Sequence, residues 1–302
     1  MHLYYSDVFS FPLPANHRFP GSKYSLLRKR IAAVFPDQSH YLILSPAASD
    51  QELLLVLGDE YLTKVLDGNL GLKEVRRIGF PWSQELVTRS RHSVGGQSPR
   101  PVRFCKKGGM HLTSLAGHTT PSLITGKGFA SSTMSQLQLG SSKSEQLADN
   151  ILILDLDVHQ GNGTAAIFAG DRSVITLSVH NGNNFPFHKE HSSLDIALPD
   201  GAGDAEYLNA VKNGLTSALD GFTPDLVIYL AGADPYSGDR LGRLTVSKTG
   251  LAARDDYEFS LLTDQKIATA VVFAGGYARD ICDTVDIHLK TVESALRHLW
   301  QN

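Results

Sequence analysis

Short apolar runs alternate with amphipathic segments along most of the chain. This alternation is typical of a parallel sheet covered by helices, because buried parallel strands are apolar on both faces and the connecting helices on one. The apolar runs predict strands at 41–46, 150–159, 173–180, 225–234 and 269–277. The amphipathic segments predict helices at 51–66, 205–219, 251–264 and 283–299. We therefore expect an α/β fold with a central, mainly parallel sheet flanked by helices.

Polar residues cluster where three of these predicted strands end. Asp155, Asp157 and His159 close one strand, Asp234 closes another and Tyr277 follows two glycines after a third. In open parallel sheets, ligands bind at the carboxyl ends of the strands. Asp157 and His159 are two residues apart, so in an extended segment their side chains point to the same side, which Asp155 shares.

Carboxylate oxygens and an imidazole nitrogen suit zinc, and three protein ligands leave one coordination position open for water or substrate, as catalytic zinc requires. Asp234 is the candidate third ligand beside Asp157 and His159. The alternative is structural: acidic residues at strand ends often cap the following turn or helix, and Tyr277 could simply end its strand.

Composition narrows the class of protein. The chain has 302 residues, of which 42% are hydrophobic, so it can build a substantial core, and we expect a single domain over 1–302. The net charge of −3 provides no basic field for nucleic acid or an anionic membrane. Two cysteines, Cys105 and Cys282, are too few for a disulfide framework, and the start of the chain does not resemble a signal peptide. We expect a cytoplasmic protein without direct nucleic-acid or membrane partners.

Three separated strings carry a family resemblance: DLDVHQGNGTA at 155–165, AGADPYSGDRLGRL at 231–244 and AGGYARD at 274–280. They resemble the zinc-dependent histone deacetylase family, and the HQGNG form is most like its class IV branch and bacterial relatives. The segments 16–24 and 77–96 are similar to that family too. The resemblance implies the three-layer arginase/deacetylase fold. It also implies hydrolysis of acetyl or longer acyl groups from lysine side chains or from small acylated amines.

The resemblance assigns roles to individual residues. It makes Asp157, His159 and Asp234 the zinc ligands. It makes Tyr277 the catalytic residue whose hydroxyl hydrogen-bonds the substrate carbonyl opposite zinc. Zinc would polarise that carbonyl and lower the pKa of bound water, and the phenol would stabilise the developing oxyanion.

Three further residues correspond to supporting positions of the family. Asp155 resembles the carboxylate that contacts a catalytic histidine and helps hold a structural monovalent cation, with potassium as the candidate ion. Ser178 lies near that cation by the same resemblance, and Asn162 resembles the partner of the other catalytic histidine.

Residues 97–144 depart from the rest of the chain. These 48 residues contain no Asp or Glu, Ser, Thr and Gly supply 20 of them, and no helical or strand periodicity is sustained. In the family, a tandem His-His pair follows two glycines and a threonine, and a GFC-x-FND string follows soon after. Neither is present here. His111 and His118 are single and lie in different contexts, so we expect no tandem general-base histidines in this chain.

The genetic code offers an explanation for this gap. If each codon from Ala116 to Gln138 is regrouped one nucleotide earlier, the degenerate third bases permit the translation GGTHHAFADHGEGFCVFNDVAVA. Both missing strings then occur in the family's order and spacing. We therefore interpret 97–144 as an out-of-frame translation bounded by two compensating frame changes, near Gln97 and between Ser141 and Ser144, and we expect disrupted structure there.

Three functions from different classes remain open at this point. The first is a zinc-dependent deacylase that is impaired because it lacks the tandem histidines, since general acid–base catalysis contributes about 10²–10⁴-fold. The second is a non-catalytic remnant that binds zinc or an acylated ligand. The third is an arginase-type hydrolase, which needs a two-metal cluster and is disfavoured because the chain has a single D-x-D-x-H string.

Overall fold

The computed structural model describes residues 2–8, 11–15, 17, 19–54, 57–96, 110–113 and 148–299. The strands in this part of the chain are β1 Leu3–Tyr5, β2 Leu42–Leu44, β3 Met110–Thr113, β4 Ile151–Asp155, β5 Val174–Asn181, β6 Leu194–Leu198, β7 Leu226–Ala231 and β8 Ala268–Phe273. The helices are α1 Ser22–Val34, α2 Asp50–Leu54, α3 Asp59–Asp67, α4 Leu72–Ile78, α5 Gln84–Gly95, α6 Asn162–Ile167, α7 Asp204–Leu219, α8 Lys248–Asp264 and α9 Ile281–Leu299.

The described strands form one sheet in the order β2-β1-β3-β8-β7-β4-β5-β6, and every pairing between neighbours is parallel. The α/β prediction with a mainly parallel sheet is confirmed. In the middle of the sheet, β4 lies between β7 and β5, and Asp155 pairs in register with Leu230 on one side and Ser178 on the other. The carboxyl ends of β4, β7 and β8 are therefore neighbours at the same end of the parallel strands.

All five predicted strands are present, although each is shorter than its predicted segment or shifted by a residue or two. The sequence did not reveal β1, β3 or β6. In β6, exposed and partly buried residues alternate up to the buried Leu198, because this strand lies at the edge of the sheet and only one of its faces is covered. A continuous apolar run is the signal of a central strand, so the edge strand was missed.

The predicted helix over 51–66 is two helices, α2 and α3, and this part of the prediction is wrong. Gly58 is extended, with φ −68° and ψ 142°, and it precedes the acidic first turn of α3 at Asp59 and Glu60. Carboxylates favour the positive N-terminal end of a helix dipole, so the chain starts a new helix here. The other predicted helices correspond to α7, α8 and α9.

Within 97–144 the structure describes one element, the four-residue strand β3. Its backbone pairs with β8 in register from Met110↔Thr269 to Thr113↔Val272, and Leu112 pairs with Leu3 of β1. The sequence predicted disruption across 97–144, with no regular element. A strand of four residues is too short to show a sustained apolar or alternating pattern, which is why it was not recognised from the sequence. The rest of this range, including His118, lies outside the described residues.

The central sheet separates two apolar clusters. Leu152 and Leu154 of β4 point into the larger one, which includes residues of α1, α7, α8 and α9, whereas Ile151 and Ile153 point into the cluster on the opposite face. All four side chains are at most 1% exposed, and burying each contributes about 1.5–3 kcal/mol relative to leaving it in water. This two-sided burial holds the carboxyl end of β4 rigidly in place. None of the helices in the described ranges is both long and apolar enough to cross a membrane.

Candidate metal centre

Three potential metal ligands meet at the carboxyl ends of β4 and β7. Asp157 and His159 follow β4, and Asp234 follows β7. One ligand atom from each residue can be chosen so that all three lie within 4.8 Å of one another. The three residues that the sequence proposed as ligands are thus brought together, although Asp157 and Asp234 are far apart in the chain.

Backbone amides fix the orientation of both carboxylates. Asp157 Oδ2 accepts a hydrogen bond from Gly275 N at 2.8 Å, and its Oδ1 accepts one from His159 N at 3.0 Å. Asp234 Oδ1 accepts one from Val158 N at 2.9 Å. His159 Nδ1 lies 2.9 Å from Asp157 Oδ1 and 3.3 Å from Asp234 Oδ2. The imidazole nitrogen and both carboxylates therefore face one common point.

The buried charges at this point favour a cation. Burial, followed by the nearby charge of Asp157, raises the pKa of Asp234 to about 7. Burial and the charge of Asp157 also raise the pKa of Asp155. For His159, burial lowers the pKa, but hydrogen bonds to Asp157 and Asp234 outweigh this effect and raise the pKa to about 11. A metal ion would relieve the mutual repulsion of these carboxylates, and two oxygens with one imidazole nitrogen form a donor set that suits zinc.

Glycines allow the carboxylates to approach the backbone this closely. A Cβ atom on Gly275 would lie 1.8 Å from Asp234 Oδ2 and 2.6 Å from Asp157 Oδ2. A Cβ on Gly161 would lie 2.3 Å from Asp155 Oδ2, and one on Gly232 would lie 2.6 Å from Asp157 Cα. Because no side chain fits at these three positions, the site is closed on these sides by backbone alone.

The proposed supporting residues lie around this centre. Asp155 Oδ1 accepts a hydrogen bond from Asp157 N at 3.1 Å, and Asp155 is the register partner of Ser178 on β5. Ser178 Oγ lies 3.0 Å from His180 Nδ1. Asn162 begins α6, and its side-chain Oδ1 is buried without a hydrogen-bond partner among the described residues. An unpaired buried acceptor is costly, so Asn162 is suited to receive a donor from a neighbouring group.

Tyr277 lies beside the metal centre, two residues after Gly275. Its backbone N donates to Asp239 Oδ2 at 2.6 Å, and Lys23 Nζ lies 5.6 Å from the centre of its ring. Burial raises the pKa of the Tyr277 phenol, and the charges of Tyr24, Asp234 and the other nearby acids add to the effect. The phenol therefore keeps its proton at neutral pH and can donate a hydrogen bond.

Two residues that help to shape this site were missed from the sequence. Lys23 is 3% exposed and donates from Nζ to Gly276 O at 3.2 Å. Asp239 is 6% exposed and accepts from the amides of Tyr277, Leu241 and Gly242. Lys23 lies in segment 16–24 and Asp239 in the string 231–244, both of which the family resemblance covers, and this position was the available signal. Their burial is seen only in the structure.

The sequence comparisons agree with this geometry. The histone deacetylase domain matches residues 17–292, which is most of the chain. The chain belongs to the histone deacetylase family. This deacetylase-family chain is also 37% identical, over 294 residues that cover 95% of each protein, to an uncharacterized protein of Picosynechococcus sp.. Members of the family are deacetylases, so the chain has the domain of a hydrolase acting on acyl amides.

Solved structures show the same fold. The histone deacetylase homologue of Aquifex aeolicus matches this deacetylase-family chain with a TM-score of 0.77 at 19% identity, over 97% of this chain and 83% of that one. A histone deacetylase homologue in complex with SAHA matches with a TM-score of 0.70 at 20% identity, over 99% and 88% of the two chains. The three-layer arginase/deacetylase fold expected from the sequence is therefore confirmed.

Proposed function

We propose that this protein derives from a zinc-dependent amide hydrolase that removes acetyl or longer acyl groups from lysine side chains or small acylated amines. The observation that carries the proposal is the convergence of Asp157, His159 and Asp234 at the carboxyl end of the central sheet, beside a protonated Tyr277. The homologue bound to SAHA supports an acylated substrate, because SAHA mimics an acyl-lysine side chain.

In this proposal, Asp157, His159 and Asp234 hold zinc. When bound, zinc supplies a Lewis acid for the acyl carbonyl and lowers the pKa of water. The Tyr277 hydroxyl donates a hydrogen bond to the carbonyl oxygen as that oxygen gains negative charge. Asp155 and Ser178 hold a structural monovalent cation, for which potassium is our candidate.

The same assignment predicts poor turnover, because the chain lacks the tandem histidines. In the family Asn162 would face one of them, and its Oδ1 has no hydrogen-bond partner among the residues that the structure describes. Without these histidines no group is assigned to take the proton from the attacking water and pass it to the leaving amine. General acid–base catalysis contributes about 10²–10⁴-fold, so a deficit of this order is expected.

A non-catalytic role is the second candidate function, and the absence of the tandem histidines from the sequence favours it. A chain that keeps the metal ligands but has lost its proton shuttle would bind zinc and an acylated ligand without turnover. The arginase-type alternative needs a second metal site. Among the described residues, Asp157, His159 and Asp234 form the single group with metal-ligand geometry, which disfavours that alternative. The class IV affiliation and the cytoplasmic location stay predictions.

The test compares this chain with an alternative-frame chain, in which the segment between Gln97 and Ser144 is translated in the regrouped reading frame. Both are purified with zinc, and zinc content, hydroxamate binding and release of acetate from an acetyl-lysine peptide are measured. We expect both chains to bind zinc and hydroxamate, and the alternative-frame chain to turn over about 10²–10⁴-fold faster. Asp157→Asn is the matched control and should lose zinc in both chains.

Slow, zinc-dependent release of acetate by this chain supports the impaired hydrolase, whereas binding of zinc and hydroxamate without release of acetate supports the non-catalytic role. Equal and substantial turnover by both chains would show that the tandem histidines are dispensable, and it would refute both the impairment and the remnant. If neither chain binds zinc, the deacylase proposal fails. Sequencing the coding DNA across codons 90–150 from an independent template then shows whether the two frame changes exist in the gene.

A further inference from the structure

A cavity of about 320 Å³ lies beside Tyr277, outside the metal-ligand cluster. The residues that line it include Tyr277, Arg240, Arg279 and Pro20. This volume lies at the lower end of the range for small-molecule sites, and it can accept one side chain or a terminal group of a ligand. The cavity is thus positioned to contact the part of a substrate that lies next to the reacting amide.

Main-chain contacts tie both arginines to the Tyr277 segment. Arg240 N donates to Tyr277 O at 3.2 Å, and Arg279 N donates to Gly238 O at 3.0 Å. The Arg240 guanidinium donates from Nη2 to Arg279 O at 3.2 Å. The backbones of both residues are therefore tied to the Tyr277 segment, and the Arg240 guanidinium is held at Arg279 O, although both side chains are exposed.

Neither guanidinium forms an ion pair with a carboxylate in the part of the chain that the structure describes, whereas neighbouring Arg243 pairs with Asp200. The two nearest acids in sequence are engaged elsewhere: Asp239 accepts three backbone amides, and Asp280 Oδ1 accepts from Cys282 N. Within the described residues, both guanidinium groups are therefore free of a direct ion pair and can each bind a carboxylate from a ligand.

We propose that this cavity is a substrate subsite that binds a carboxylate next to the acylated amine. The carboxylate would come from an acidic residue flanking an acyl-lysine, or from the α-carboxylate of a free acylated amino acid. Guanidinium groups bind carboxylates through paired N–H···O hydrogen bonds, and an unpaired arginine beside a cavity is the group that recognises them. The inference rests on the proposed function, because it treats the Tyr277 side of the metal centre as the substrate side.

The same charges discriminate between the substrates that the sequence left open. Acylated polyamines keep ammonium groups near the reacting amide, and two arginines would repel them. The arginines therefore contribute to specificity in two ways: they attract a carboxylate, and they lower the affinity for a ligand that carries ammonium groups. The geometry therefore favours acidic peptides or acylated amino acids over acylated polyamines.

The experiment measures binding rather than turnover, so it works even if this chain is catalytically dead. Fluorescent, amide-capped peptides carry a hydroxamate in place of the acetyl-lysine amide and differ only in a flanking Glu, Gln or Lys. Affinity for the zinc-loaded chain is measured by fluorescence anisotropy at about 0.05 M and 0.5 M salt. A second pair of probes, a hydroxamate amino acid with a free carboxylate or a carboxamide, tests the other source of the carboxylate.

At low salt we expect the Glu peptide to bind about fivefold more tightly than the Gln peptide, and the Lys peptide to bind more weakly still. The differences should shrink at high salt and disappear in the double variant Arg240→Gln/Arg279→Gln. Arg172→Gln is the matched control, because Arg172 is an exposed arginine at the amino end of β5. Arg240 and Arg279, in contrast, follow the carboxyl ends of β7 and β8. It should leave all of the ratios unchanged.

Three results would overturn the proposal. Equal affinity for the Glu, Gln and Lys peptides, together with no preference for the free carboxylate probe, would refute the subsite and leave the zinc-dependent function standing. Loss of the preference in the Arg172 control would show that general surface charge causes it. If no hydroxamate probe binds the zinc-loaded chain, the proposed function and the subsite fail together. The salt dependence of the unaltered chain tests the same point without relying on any variant.

Discussion

Gly275 gives the sharpest test of the metal centre, because its backbone touches both carboxylate ligands. We predict that Gly275→Ala weakens metal binding by about 100-fold or more while the chain still folds. The added Cβ would lie 1.8 Å from Asp234 Oδ2 and 2.6 Å from Asp157 Oδ2, whereas ordinary van der Waals contacts begin at 3.4 Å. Asp234 Oδ2 would therefore have to move by about 1.6 Å, which is most of a zinc–oxygen bond length of about 2.1 Å.

The displaced carboxylate cannot keep its place in a tetrahedral site. Moving Asp234 also disturbs the hydrogen bond that its Oδ1 accepts from Val158 N. Changes that misplace the groups around a metal ligand reduce metal affinity by about 10–100-fold, and direct displacement of a ligand should reach at least the upper end of that range. We therefore expect zinc affinity to fall by about 100-fold or more.

Competition against a chromophoric chelator measures the zinc affinity, and circular dichroism of the metal-free chain measures folding. Gly182→Ala is the matched control, because its new Cβ would meet Ala197 Cβ at 3.6 Å, an ordinary contact. This control should bind zinc normally. If Gly275→Ala binds zinc as tightly as the unaltered chain, the carboxylates do not hold the metal in the way that we infer.

Three further predictions concern residues around and behind the site. Tyr277→Phe should leave zinc affinity unchanged but lower the turnover of the alternative-frame chain by about 10²–10³-fold, because an oxyanion donor is lost; equal loss of zinc binding would contradict this role. Arg254→Met should lower the free energy of unfolding by about 3–5 kcal/mol in urea titrations, since Arg254 is fully buried, pairs with Asp255 at 2.8 Å and donates to Gly232 O at 2.7 Å. Glu258→Gln should stabilise the chain more at pH 8 than at pH 5, because burial raises the pKa of Glu258 in the folded state. The Glu258 carboxyl therefore lowers the free energy of unfolding as the pH rises above its unfolded pKa, and the Gln variant avoids this loss. Equal effects at both pH values would refute the reasoning.

The central strands and the ligand cluster could be predicted because one local pattern encodes both. Continuous apolar runs marked β4, β7 and β8, and polar residues at their ends had to meet once these strands were parallel neighbours. The resemblance to deacetylases then selected Asp157, His159 and Asp234 from the other acids near the strand ends. That those three side chains meet is seen in the structure, whereas their roles remain proposals.

Helix α8 shows what the local pattern could not reveal. It begins at Lys248, three residues before the predicted start, where Ser247 Oγ accepts a hydrogen bond from Gly250 N. Its fully buried face includes Arg254, Asp255 and Glu258. The amphipathic pattern predicts instead that charged residues of a helix face solvent. Their partners, such as Tyr229 on β7 and Thr291 on α9, come from distant parts of the chain, so the burial depends on tertiary contacts.

The location of the three candidate metal ligands has a consequence for how such a protein can decay. Asp157, His159 and Asp234, and the Gly275 amide that orients one of them, all lie in the continuous described segment 148–299. In the family, by the resemblance, the proton-carrying histidines come from a segment that precedes this one. In the proposed assignment, metal binding and proton transfer therefore depend on separate stretches of the gene. A lesion confined to the first stretch can silence the chemistry and leave a metal-dependent receptor for acylated ligands.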